Sequence, residues 1–224
     1  VLLLTYYTKK RMLTFLNELD TQALLAINGW RSTWADGFMY AFSSKAIWIP
    51  MYVSILYVIF RNFHWKVAVG CMVAIGLTIL FADQVGASII RPMVERMRPS
   101  NLNNPISEWV EIVNGKRGGR YGFPSCHAAN TFGISSLILF IFRNRLLSCF
   151  MMLWALVTCW SRAYLGVHYP GDLLAGMFLG LIGAALSYWL FNLYCKRIQA
   201  TKPATYQHLY IPVVVGMLTI VGMA

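Results

Sequence analysis

The sequence predicts an all-α fold: a polytopic membrane helix bundle with six transmembrane helices, preceded by an N-terminal amphipathic helix at the interface. Two compositional facts and one pattern predict it. Of the 224 residues, 58% are hydrophobic and only 12% charged, against roughly 25% charged residues in an ordinary soluble domain. Mean hydropathy is +0.57. The charges cluster between long apolar runs. Eight Trp, thirteen Phe and twelve Tyr exclude a disordered chain, and the composition argues against a soluble enzyme.

In residues 1–45, an N-terminal amphipathic and interfacial region, Met12, Phe15, Leu16, Leu19 and Ala23 recur at helical spacing. Asn17, Glu18, Asp20 and Gln22 take the other side. This predicts a helix whose apolar face rests on lipid or packs on neighbouring protein. Apolar runs at 46–60, 67–90, 128–142, 146–160, 173–194 and about 203–224 predict six spans, so that 46–224 forms one transmembrane domain. Crossing the hydrocarbon takes about 20 residues. Shorter runs must borrow flanking polar residues, tilt, or end where protein replaces lipid. Gly176, Gly180 and Gly183 on the fifth span are spaced for close helix packing. The long polar loop at 100–123, between the second and third spans, faces outward, and a connection of that length is usually functional.

Nineteen Lys and Arg against eight Asp and Glu give a net charge of +11. Arg61, Lys66, Arg143, Arg145, Lys196, Arg197 and Lys202 fall in loops on one side, without an acid among them. The positive-inside rule places that side in the cytoplasm, so 91–127 and 161–172 face outward. The basic residues at 9–11 run against this scheme. Nucleic-acid binding needs basic residues on a solvated face, which this composition barely provides. Five scattered Cys, at 71, 126, 149, 159 and 195, make neither a disulfide framework nor zinc spacing. No acidic pair suits Mg²⁺. Neither a metal nor a cofactor is expected, and oligomeric state is not legible.

Three polar clusters occupy the outward ends of different spans. The first runs from Arg91 to Arg98-Pro99; seven residues apart, its outer arginines would lie two turns apart if the helix continued. The second is Gly122-Phe123-Pro124-Ser125-Cys126-His127, where Pro inside a helix start leaves outward-pointing amide groups for an anion. The third holds Ser161-Arg162, His168 and Asp172; the aspartate can fix the imidazole tautomer and make its other nitrogen more basic. Together they supply three Arg, two His, an Asp, a Ser and a helix N-terminus on one membrane face. That combination suits a phosphoryl group and a nucleophile to receive it.

At these residues the chain resembles the type 2 phosphatidic acid phosphatase superfamily, integral-membrane lipid phosphatases with a haloperoxidase-like helical core. The family pattern is Lys, six residues, Arg-Pro; then Pro-Ser-Gly-His; then Ser-Arg, five residues, His, three residues, Asp. Arg91 replaces the usual Lys and Cys126 the usual Gly. A Cβ at 126 is tolerated if that residue is the first or second of a helix, and hinders if positive φ is required.

The resemblance implies metal-free hydrolysis through a phosphohistidine. In it His168 is the nucleophile, Asp172 orients it, and His127 protonates the leaving oxygen and then activates water. Arg91, Arg98, Arg162, Ser125 and the amides near Cys126 and His127 would hold the phosphate oxygens. The implied substrate is a lipid phosphate or diphosphate: a polyprenyl diphosphate, phosphatidylglycerophosphate, phosphatidic acid or the phosphate of lipid A. The implied setting is the bilayer, a bacterial inner membrane with the site facing the periplasm. A lipid phosphotransferase sharing the intermediate, or a non-catalytic anionic-lipid binding or transport protein, are the alternatives. Asp83 either pairs with a cation of the site or makes a helix-packing hydrogen bond, and Glu108, Trp109 and Glu111 form either a small lid helix or an ordinary surface helix. Lys116, Arg117 and Arg120 suit a polyanionic head group or a solvated loop.

Overall fold

The computed structural model describes residues 2–200, 203 and 205–224, with N-terminal side chains from Arg11 onward. Lys202 and the side chains of residues 9 and 10 lie outside the described residues. Among the described residues eight α-helices form: α1 Leu2–Asn28, α2 Thr33–Phe42, α3 Ile49–Asn62, α4 Trp65–Val94, α5 Cys126–Phe142, α6 Arg145–Tyr164, α7 Pro170–Arg197 and α8 Ile211–Val221. Their starts follow capping chemistry. Ser32 accepts from the Ala35 amide at α2, Asn144 from Leu147 at α6, and Pro opens α3, α7 and α8.

The all-α bundle forms as expected, and three to four of its six expected spans meet the length and apolarity a bilayer requires. Among the described residues, α4, α6 and α7 are each long and apolar enough to cross a bilayer, and α2 with α3 would make a fourth span bent by 68°. With 17 and 11 residues, α5 and α8 extend about 26 and 17 Å, against about 30 Å of hydrocarbon. An apolar run need not be helical throughout or meet lipid. Residues 205–210 are not helical. The central α5 turns its apolar side chains onto α7, α4 and α6, burying Phe132, Leu137, Ile138 and Ile141.

The α5–α7 seam is built of small residues, as the glycine spacing predicts. A methyl on Gly176 would stand 2.3 Å from the Ser125 carbonyl, and one on Gly180 2.2 Å from that of Ala129. Gly183 faces Phe81 instead. This approach sets the start of α5 beside the start of α7, where the Ser125 amide donates to the Asp172 carbonyl (3.0 Å).

Helix α1 divides the two readings of its apolar face. Met12, Phe15, Leu16 and Leu19 are exposed, as a lipid-resting face would be. Farther along, Leu24 is fully buried and packs with Val110, Ala163 and Tyr169. Asn28 ends the helix with hydrogen bonds to the backbone of Glu111 and Tyr164. The predicted segment at 108–111 is therefore a 3₁₀ turn, Ser107–Trp109, followed by chain pinned to α1.

Candidate active site

Asp172 is the anchor of the site. It lies in the first turn of α7 with no exposed surface, and its carboxylate accepts from the Tyr169 amide at 3.1 Å. A buried carboxylate needs compensating charge, and Arg96 supplies it at 3.0 Å. The other face of Arg96 pairs with Asp20 of α1 at 2.6 Å, and Asp20 also accepts from the Gly171 amide at 2.7 Å. Tyr169 stacks under the same guanidinium, 4.0 Å from ring centroid to carbon.

His168 stands between this carboxylate and an arginine. Its Nδ1 is 3.4 Å from Asp172 Oδ2, and its Nε2 is 2.7 Å from Arg98 Nη1. Guanidinium nitrogens only donate, so Nε2 accepts and Nδ1 carries the proton. Burial first, then the charges of Arg98, Arg162 and Arg91, hold the imidazole pKa well below its ordinary 6.5. The ring is consequently neutral near pH 7, with its lone pair on Nε2. Arg98 is lowered to about 10 by burial and by Arg91, and remains cationic at neutral pH.

The two arginines of the first cluster reach the site by different routes. Helix α4 widens into a π-helical stretch over Gln84–Ile90 and stops at Val94, where Glu95 takes a left-handed conformation (φ 49°). Arg98 therefore does not lie two turns along one helix from Arg91. It sits on an extended arm, where Met97 bridges Tyr121 and the Arg98 amide bonds to the Arg120 carbonyl. From there its side chain spans the carbonyls of Tyr121 and Val167. Arg91 stays helical and donates to the Pro124 carbonyl (3.0 Å) and Cys126 Sγ (3.2 Å). Arg162, 5% exposed, donates to Ser43 Oγ at 2.6 Å. The Nε groups of Arg91 and Arg162 are buried without a hydrogen-bond partner among the described residues. Unpaired buried donors on fixed cations are suited to oxyanions.

Helix α5 begins one step later than expected. Ser125 is its N-cap, with its hydroxyl accepting from the Ala128 amide at 3.4 Å, so Pro124 lies just outside the helix. Cys126 is then the first helical residue, without positive φ, which is the position that tolerates a Cβ. The amides of Cys126 and His127 precede the first intrahelical bond. His127 lies within electrostatic range of Arg98, Arg162, His168 and Lys45. Asp83 makes no ion pair among the described residues; it accepts from Asn130 Nδ2 at 3.1 Å, the helix-packing alternative.

The structure thus joins His168, Asp172 and Arg98 directly, and Arg91 with Cys126. Sequence reasoning assigned no part in the site to Arg96 or Gly122, though both lie inside its clusters, nor to Asp20 or Ser43. A methyl on Gly122 would stand 2.9 Å from Asp172 Oδ2 and 3.1 Å from Arg98 Cγ. Arg96 lies inside the first cluster and could have been suspected there; nothing in the spacing connects residues 20 or 43 to it.

Residues 68–196 match the PAP2 superfamily model. The chain is similar to the lipid A 4'-phosphatase of Bacteroides thetaiotaomicron, at 49% identity over 95% of this chain and 96% of that protein. It is 32% identical to the lipid A 4'-phosphatase of Porphyromonas gingivalis over 85% of this chain and 80% of that one. Its fold resembles the crystal structure of Aquifex aeolicus LpxE with a TM-score of 0.57 at 23% identity, covering 76% of this chain and 95% of that chain. The PAP2-type phosphatidylglycerolphosphate phosphatase of Bacillus subtilis gives the same score at 20% identity, covering 80% and 87%. With a family match over more than half its length and a near-full-length relative about half identical to it, this chain belongs to the PAP2 superfamily and is a membrane phosphatase.

Proposed function

We propose that the protein hydrolyses the 4'-phosphate of lipid A, or of a closely similar acylated aminosugar, at the periplasmic face of a bacterial inner membrane. The observation that carries this is the 49% identity to a lipid A 4'-phosphatase along 95% of the chain. Orientation rests on the cytoplasmic cations Arg61, Lys66, Arg143, Arg145, Lys196 and Arg197, which lie opposite the site along the helices.

Chemistry begins at Nε2 of His168. Its lone pair attacks phosphorus while the bond from phosphorus to the lipid oxygen breaks, and His127 gives that oxygen a proton. Asp172 holds Nδ1 and stabilises the charge that the ring acquires. A water, losing its proton to His127, then displaces His168 from phosphorus and frees inorganic phosphate. Arg98 rests against Nε2 at 2.7 Å and passes its N–H groups to the non-bridging oxygens as the nucleophile engages. Arg91, Arg162 and the first amides of α5 complete the cradle, and Ser125 holds those amides in place. No step requires a metal or cofactor.

Phosphate release from lipid A 4'-phosphate, lipid A 1-phosphate, phosphatidic acid, phosphatidylglycerophosphate and a polyprenyl diphosphate tests this in detergent. The 4'-phosphate is the preferred substrate, EDTA leaves its hydrolysis intact, and His168→Ala lowers release by roughly 10³-fold or more. Release that survives His168→Ala overturns the nucleophile; preference for another substrate overturns the specificity.

A further inference from the structure

His127 also lines a cavity of about 350 Å³ among α3, α4, α5 and α6. Along α4 its lining runs Asp83, Ile79, Ile75, and along α5 His127, Asn130, Ile134, each at one-turn spacing on one face. The cavity is therefore polar at the His127 end and apolar farther into the membrane. If His127 protonates the leaving oxygen, the alcohol half of the substrate must depart from that end.

The polar end presents acceptors. Asn130 spends an amide N–H on Asp83 Oδ1 at 3.1 Å, and this fixes which way its amide points. Its own Oδ1 is buried without a partner among the described residues. The carboxylate of Asp83 adds a second acceptor, with negative charge. Lys45 lines the cavity too, but from an exposed position where solvent screens its charge. Acceptors call for donors on the ligand. An acylated aminosugar offers hydroxyl and amide N–H groups, with acyl chains for the apolar part. Beyond the oxygen that leaves phosphorus, a diacylglycerol offers only ester acceptors. A prenyl diphosphate would bring a second phosphate toward Asp83, a like charge that Lys45 offsets only from its exposed position.

We propose that this cavity receives the leaving alcohol, and that the Asp83–Asn130 pair selects a glycolipid with further hydroxyl and amide donors over leaving groups whose remaining polar atoms only accept or carry negative charge. The inference rests on the reading of His127 given above.

The test measures kcat/KM for three substrates, lipid A 4'-phosphate, phosphatidic acid and a prenyl diphosphate, in wild type, Asp83→Asn and Asn130→Leu. Asp83→Asn preserves shape, so it remains informative if Asn130→Leu folds poorly. The glycolipid to phosphatidic acid ratio is expected to fall about tenfold in both variants, the loss of one hydrogen bond to a charged or buried acceptor. In Asp83→Asn the ratio of prenyl diphosphate to glycolipid should rise further. Unchanged ratios, whether activity falls uniformly or not at all, overturn the inference. Binding of the dephosphorylated glycolipid to the same three proteins reads the cavity without turnover. Weaker binding in both variants supports the inference even if wild type hydrolyses none of the substrates, a result that would sink the hydrolase reading alone. Equal binding in all three overturns it.

Discussion

Arg96 holds the buried carboxylate of Asp172 at 3.0 Å, although Arg96 is not among the residues that the family pattern specifies. Because its other ion pair is with Asp20, one guanidinium fixes the group that orients His168 and also secures α1. Arg96→Gln leaves a fully buried carboxylate without its nearest cation. The expected result is a kcat lower by roughly tenfold to a hundredfold, the scale on which outer partners of a functional histidine act. KM should change little. Partial recovery in Arg96→Lys would mark charge as the operative property, and a kcat unaffected by Arg96→Gln would refute the positioning role.

The pH profile should carry the signature of a depressed histidine. Since the pKa of His168 lies well below 6.5, the imidazole proposed as nucleophile stays neutral as pH falls, and the acid limb of kcat/KM is expected below pH 6.5. Stability follows the same sign. The unfolded imidazole takes up a proton from about pH 6.5 downward, whereas the native one does so only at lower pH. Stability is thus fully present above about 6.5 and declines as pH falls toward the folded pKa. Activity and thermal unfolding measured from pH 8 to pH 5 check both halves; an acid limb at or above 6.5 contradicts the assignment.

Glycine substitutions should separate backbone from side-chain clashes. In Gly176→Ala and Gly180→Ala the new methyl meets main-chain carbonyls at 2.3 and 2.2 Å, which can yield only by moving α5. In Gly216→Ala it meets the ring of Phe150 at 2.3 Å, and a ring can rotate away. The first two are expected to destabilise by roughly 1–3 kcal/mol or more. Gly216→Ala should cost less. Unfolding temperatures in one detergent rank the three.

Cys126 should prove replaceable. As the first residue of α5 it needs no special φ, and what it adds is an Sγ contact at 3.2 Å to Arg91. Cys126→Gly is expected to keep kcat within a few-fold of wild type and to act mainly on KM. A collapse of kcat would show that the thiol itself is needed.

The local part of the site was legible because its chemistry is local. His168 and Asp172 are four apart across a break that Pro170 and Gly171 impose, and their pairing could be read from that spacing. The Arg91 and Arg98 relationship was half legible: both serve one region, but the helix that was to carry them ends at Val94. Span number was the least legible quantity. Hydropathy registers α5 as it does a lipid-facing helix, although α5 is enclosed by its neighbours, and it cannot see the bend between Phe42 and Ala46. Asp20 was visible only as part of a polar helix face. Its partner lies 76 residues away, and no periodicity connects the two.

That connection bears on how small the working protein can be. The family match begins at residue 68, yet Asp20 anchors Arg96 and the Gly171 amide, and Ser43 holds Arg162. A chain trimmed to the matched region would keep every motif residue while losing the struts that set two of its arginines and the loop before Asp172. The boundary of the recognisable sequence and the boundary of the functional unit do not coincide.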